Sequence, residues 1–196
     1  IGIGMFRVAV TDLYAGIIHN KMSDFPVNQP AYEVLDIIAQ LVRETIEESQ
    51  INRELILGIG LGASGLVNHN TGVNVHAANL GWHDVAIRDY LEAQLNLPVC
   101  VDNNVRAMAL GEAYFGIGRD VDVLAFIYGR IGVGAGIVVD GQAFRGSGAG
   151  AGEIGHTIVV PRNGEPCRCG QFGCLETLVS EPVLLREAQL LADELP

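Results

Sequence analysis

Residues 100–112 read CVDNNVRAMALGE, and they decide what kind of sheet this chain builds. Apolar positions at Val99 and Val101 mark Pro98–Asp102 as a strand, and the residues from Asn104 to Phe115 continue with the spacing of a helix. Asn103 stands where a helix cap belongs. A strand that runs through polar residues straight into a helix is the unit of an α/β sheet, and ligands bind such sheets at the strands' carboxyl ends. Asn103 and Asn104 can each donate and accept toward sugar hydroxyls. On the plainer reading both simply cap the helix.

Outward from this unit the pattern persists. Toward the N-terminus, Met5–Thr11 alternates as a strand, DLYAG turns, and Ile17–Lys21 returns to close a hairpin. Ala31–Ser49 carries Val34, Ile37, Ile38, Leu41, Val42, Thr45 and Ile46 on one helical face. The apolar run Leu55–Leu61 reads as a buried strand, Gly/Asn-rich loops extend to about Trp82, and Val85–Leu95 reads as a helix. Toward the C-terminus, strands at Val121–Tyr128 and Gly132–Asp140 flank a GRIG turn, and EPVLLREAQLLADELP is an amphipathic helix. Strands alternating with helices after an initial hairpin predict a mixed α/β sheet. Glycine becomes dense over Gly129–Gly155, which places a first α/β lobe at residues 1–116 and the start of a second at 117–196. The chain opens directly on a strand and ends on an unpartnered helix, so both ends are expected to continue in a longer protein.

The balance of charge narrows the partners. With 23 acidic against 12 basic residues the net charge is −11, which argues against this segment gripping a phosphate backbone and for small molecules or protein surfaces. No apolar run approaches the roughly 18 residues of a membrane span, and no secretory leader is visible. Four cysteines, three of them clustered, fit a reducing compartment better than a disulfide framework, so a cytoplasmic protein is expected. Cys100, in an apolar strand, is expected in the core. Trp82 can stack on a sugar face or fill the core.

The clustered cysteines are Cys167, Cys169 and Cys174, in PCRCGQFGCLE. His156, eleven residues before Cys167, supplies a fourth ligand for a tetrahedral zinc site, with Gly170 and Gly173 letting the backbone fold around the ion. The alternatives are buried thiols without metal and, less well matched, a redox pair. Just upstream, GAGAGEIGH (residues 148–156) ends a glycine run in a carboxylate and an imidazole, as suits a loop pressed against a ligand. Glu153 can accept from vicinal hydroxyls, and a metal on one nitrogen of His156 would fix the other in direction. Glu153 as a plain exposed loop acid stays open. GRIGVGAGIVVDG (129–141) can cradle phosphate or form a tight hairpin, and it matches neither common phosphate-loop pattern.

In this order the motifs resemble the ROK family of bacterial sugar kinases and sugar-responsive repressors. AGEIGH followed by CRCGQFGCLE carries the likeness, and NLGW, VDNNVRAMALGE and GVGAGIVVDGQAFRG fall in family order over nearly the whole chain. The resemblance implies the actin-like ATPase (ribonuclease H-like) architecture of two α/β lobes with the sugar between them, here C-terminally incomplete. It implies structural Zn2+ on His156, Cys167, Cys169 and Cys174, and a sugar site of Gly65, Asn79, Asn103, Asn104, Glu153, His156 and Glu176. Three departures matter. Family kinases carry Asn-Asp where this chain has Asn103-Asn104, and that aspartate is the general base; a carboxamide cannot do its work. IGIGMF lacks the threonine of the kinases' Asp-x-Gly-Gly-Thr phosphate loop, whose Asp would precede residue 1, and Arg130 stands at the threonine of Gly-Thr-Gly. Sugar and zinc positions kept without the catalytic ones imply a regulator's sugar-sensing effector domain, binding a monosaccharide without phosphorylating it. In that branch DNA is contacted through an N-terminal winged helix, which would lie before residue 1, and the assembly is a homo-oligomer such as a dimer. The competing expectation is an ATP-dependent sugar kinase.

Overall fold

Strand β1 (Met5–Thr11) pairs antiparallel with β2 (Ile17–Asp24), as the alternation predicts. Asp12 shapes the turn, its Oδ1 accepting from the backbone N–H of Tyr14 at 2.9 Å and of Gly16 at 2.8 Å. The computed structural model describes residues 1–2, 4–27 and 29–193; Ile3 of the IGIGMF stretch and the last three residues of the expected C-terminal helix lie outside that range. The described residues form two compact units, Ile1–Ala107 and Met108–Pro196. The break falls inside a helix, N-terminal to the boundary at residues 116/117 that the sequence reading places.

In the first unit, helix α1 (Ala31–Glu48) buries Val34, Leu35, Ile38, Ala39, Leu41, Val42 and Thr45. Val34, Ile38, Leu41, Val42 and Thr45 lie on the face its spacing predicts, Leu35 and Ala39 widen it, and Ile37 and Ile46 are only partly buried at its margin. Full burial of each large aliphatic side chain is worth about 1.5–3 kcal/mol. Thr45 is tolerated there because its hydroxyl donates to the Leu41 carbonyl at 2.6 Å. Lys21 of β2 reaches Glu44 at 2.9 Å and Glu48 at 2.8 Å on the same helix.

Strand β3 covers Ile59–Ala63, four residues later than the sequence reading begins it. Asn52 accepts from the Glu54 N–H at 3.1 Å and caps a single 3-10 turn, Arg53–Leu55, so Leu55 and Leu57 stay exposed. The stretch read as loops is instead a three-stranded antiparallel sheet: β4 (Leu66–Asn68), β5 (Val73–Ala77) and β6 (Trp82–Ala86). Its strands are short, carry Asn and His among the apolar residues, and are separated by turns containing Gly72 and Gly81, which hides the period-2 signal. Helix α2 therefore starts at Ile87 and runs to Leu95, with Val85 belonging to β6. Arg88 at its head ties distant backbone together, donating to the carbonyls of His69 (2.7 Å), Asn70 (2.6 Å) and Val99 (3.0 Å).

Strand β7 (Val99–Asn103) lies parallel to β3, in register from Ile59↔Val99 to Ala63↔Asn103. Val99 and Val101 join the core with Trp82, Ile87, Leu91, Leu35 and Ile38, so Trp82 is core and not a stacking surface. Cys100 is exposed, against expectation. It points to the other sheet face, where its partner Gly60 has no side chain and a methyl group there would meet nothing within 4 Å.

Helix α3 (Asn104–Phe115) crosses the boundary. In the second unit β8 (Val123–Gly129), β9 (Val133–Val139) and β10 (Gln142–Ala143) form an antiparallel sheet in the order β10-β9-β8. The glycine-rich segment after β10 lies along β9, where Ala135 N–H donates to the Gly152 carbonyl at 2.7 Å. Helices α4 (Glu176–Val179) and α5 (Glu181–Asp193) end the described part of the unit, the latter with no buried residue. Among the described residues no helix is long and apolar enough to cross a membrane.

Candidate functional site

In the first unit, the paired carboxyl ends of β3 and β7 bring Gly65, Asn103 and Asn104 together. Asn103 does two things at once. Its Oδ1 accepts from the N–H groups of Val105 (2.8 Å) and Arg106 (3.1 Å), capping α3, and its Nδ2 donates to the Gly65 carbonyl at 3.0 Å. The capping reading is therefore correct for Asn103, and the residue is only 7% exposed. Asn104 is half-buried at the head of α3, its Oδ1 accepting from Val105 N–H at 3.0 Å and its Nδ2 lying 3.5 Å from Ser64 Oγ. Gly65 must be glycine: φ is +90°, and a Cβ would sit 2.4 Å from the His76 carbonyl oxygen. Asn79 stands half-buried in the β5–β6 turn.

Three supporting residues, Asp102, Arg106 and Asn74, escape the sequence reading. Arg106 is 1% exposed, its Nε 2.9 Å from Asp102 Oδ1 and its Nη2 donating to the Val67 carbonyl at 3.1 Å. It thereby holds β4 to the β7–α3 junction. Asn74, fully buried, donates to the Ser64 carbonyl at 2.9 Å. The i,i+4 spacing of Asp102 and Arg106 is a signal present in the chain, but burial is not readable from it.

In the second unit, Glu153, His156 and Glu176 converge around β9 and the cysteine loop. Glu176 is 8% exposed and its Oε2 accepts from Val133 N–H at 3.1 Å. His156 lies between two environments. Its Nδ1 is 3.6 Å from Cys167 Sγ, and its Nε2 is 3.9 Å from Glu153 Oε2. Cys169 and Cys174 place their sulfurs 3.8 Å apart, and the four donor atoms all lie within 4.8 Å of one another. The loop closes through Cys167 N–H to the Gln171 carbonyl (2.8 Å), and Gly173, at φ +72°, passes so close to Val160 that a Cβ would meet its carbonyl at 1.9 Å.

This donor set fits a tetrahedral ion. Bonds of about 2.3 Å to sulfur and about 2.0–2.1 Å to nitrogen put sulfur pairs about 3.8 Å apart and sulfur–nitrogen pairs about 3.5 Å apart. The Cys169–Cys174 and His156–Cys167 separations match these values. Burial pushes the Cys174 thiol up to about 12 and raises Cys167 as well, so with protons alone the buried group stays neutral. A divalent cation is what such a set accommodates as thiolates.

A sequence model of the ROK family matches residues 1–195. The xylose repressor of Caldicellulosiruptor bescii is 32% identical over 185 residues, 94% of this chain and 46% of its own length. The glucokinase of Halalkalibacterium halodurans is 41% identical over 151 residues, 77% of this chain and 46% of its own. The chain thus spans about half the length of the curated relatives it matches. Among solved structures, a Streptomyces griseus ROK glucokinase in complex with glucose and AMPPNP superposes with a TM-score of 0.88 at 31% identity, covering 98% of this chain and 59% of that one. A ROK transcriptional regulator, a homologue of the E. coli MLC protein, gives 0.86 at 29% identity, covering 100% and 49%. The mixed α/β fold is that of these actin-like ATPase relatives.

Proposed function

Since the chain belongs to the ROK family, we propose that it is the sugar-sensing effector module of a ROK-type transcriptional regulator, binding a monosaccharide without phosphorylating it. The observation that carries this reading is Asn104. Phosphoryl transfer to a hydroxyl needs a group to take the proton, and a carboxamide at the base position has no basic lone pair for it. The β8–β9 turn supports the same reading. Its Arg130 N–H donates to the Gly132 carbonyl at 2.9 Å and its Val133 N–H to Glu176, so two hydrogens that could cradle phosphate are spent internally. The Arg130 guanidinium lies 3.4 Å from Glu181.

Gly65, Asn79, Asn103, Asn104, Glu153, His156 and Glu176 are the proposed sugar contacts. Amide and carboxylate groups of this kind pair with vicinal hydroxyls. Structural Zn2+ on His156, Cys167, Cys169 and Cys174 would hold the His156 ring in one orientation. The sugar would act through its difference in affinity between two states of a homo-oligomer. A net charge of −11 suits a module whose DNA contacts come from a part of the protein outside residues 1–196, and the clustered cysteines suit a cytoplasmic one.

A second reading, an ATP-dependent sugar kinase, draws on the 41% identity to a glucokinase. Calorimetry with D-xylose and D-glucose, beside a coupled assay with ATP·Mg, separates the two. The sensor reading expects sugar binding and no turnover. Turnover that is abolished by Asn104→Ala would establish the kinase reading in its place.

A further inference from the structure

The β5–β6 ladder carries a side-chain pair on its solvent side that the sugar site does not use. His76 and His83 are direct cross-strand partners. Their Nδ1 atoms lie 3.2 Å apart, with ring centroids at 4.5 Å and planes at 43°. A local distortion produces the display. Asp84 adopts φ +49°, so Trp82 and Val85 both enter the core, at 2% and 4% exposure, while His83 and Asp84 both face water.

Two nitrogens bound to one ion at about 2.0–2.1 Å stand about 3.4 Å apart at a tetrahedral angle and about 2.9 Å apart at a right angle. The observed 3.2 Å lies between those limits. We propose that His76 and His83 form a second metal site, separate from the cysteine cluster, that takes an imidazole-preferring divalent ion such as Ni2+, Cu2+ or Zn2+ through both Nδ1 atoms. Each ring then keeps its proton on Nε2, so neutral imidazoles bind with a change of tautomer and no proton release. Water completes the coordination, and the exposed Asp84 carboxylate next along the chain adds favourable charge. The ion would bridge the two strands that flank the turn holding Asn79, clipping that hairpin at its outer face.

The test uses the full chain with zinc already loaded, titrated with Ni2+ alone by calorimetry, with retained zinc measured by elemental analysis. The wild-type chain should take up a further equivalent of Ni2+ without losing zinc. His83→Ala, at an exposed position, and His76→Asn should each lose that equivalent while keeping zinc and the far-ultraviolet circular dichroism of the parent. Absence of the further equivalent in the wild type, or its survival in either variant, would overturn the assignment.

Discussion

Replacing Asn103 separates its two structural tasks. Asn103→Ala removes the cap on α3, worth about 0.5–2 kcal/mol, and the bond to the Gly65 carbonyl, worth about 0.5–1.5 kcal/mol. Both lie where water cannot easily substitute, since the residue is 7% exposed, so a total near 2–3 kcal/mol is expected. Asn103→Ser keeps a capping oxygen for the N–H groups of Val105 and Arg106 but is too short to reach Gly65. It should cost only about 1 kcal/mol. Urea denaturation of the three proteins measures the difference, with unchanged slopes as the control for a common unfolding transition. Sugar titration of the same variants should show weaker binding by both, because both lose the Asn103 carboxamide as a proposed sugar contact and free the turn that carries Gly65. Equal destabilisation by Ala and Ser, or a total under about 0.5 kcal/mol for Ala, would refute the double role.

Arg106→Met leaves Asp102 without its cation and should cost about 3–5 kcal/mol, while the double variant Asp102→Leu/Arg106→Met should recover much of it; both are read by denaturant titration. If the double variant is as unstable as the single, the ion pair is not the source of the loss. Cys174→Ser removes a fully buried donor, so bound metal measured by elemental analysis should drop and the residue 160–175 loop should become sensitive to limited proteolysis. Metal content unchanged by that substitution would remove Cys174 from the ligand set. Tyr90 donates to Asp36 at 2.6 Å, and this bond raises its hydroxyl above the ordinary 10.0. Its contribution is therefore complete below pH 10 and lost as pH rises through the raised value, so Tyr90→Phe should close the stability gap to the parent on the alkaline side. A gap that stays constant from neutral pH to beyond about pH 11 contradicts this.

The elements read most accurately from sequence are those whose signal is local. Helix α1 shows its buried face in its spacing, β1 and β2 show alternation, and α3 begins where Asn103 can cap it. The β4-β5-β6 sheet is not legible in the chain because its strands draw stability from cross-strand partners and from Arg88, neither of which leaves a period. The exposure of Cys100 escapes for a related reason. Alternation says that one strand face is buried and the other is not, but whether the second face is covered depends on what packs there.

The candidate site divides along the same line. Residue chemistry is a property of the chain: three thiols and an imidazole in one short stretch, a carboxamide at Asn104, and the family membership these motifs carry are all present in the sequence. Position is not. Only folding brings the four metal donors within 4.8 Å, aims the two nitrogens of His156 at Cys167 and Glu153, and ties Asn103 to Gly65 across 38 residues. The buried Asp102–Arg106 pair and the His76–His83 pair likewise exist because strands and helices meet in a particular register. Hydrogen bonds and metal geometry act over about 2–4 Å, a length that sequence separation does not encode and tertiary packing does.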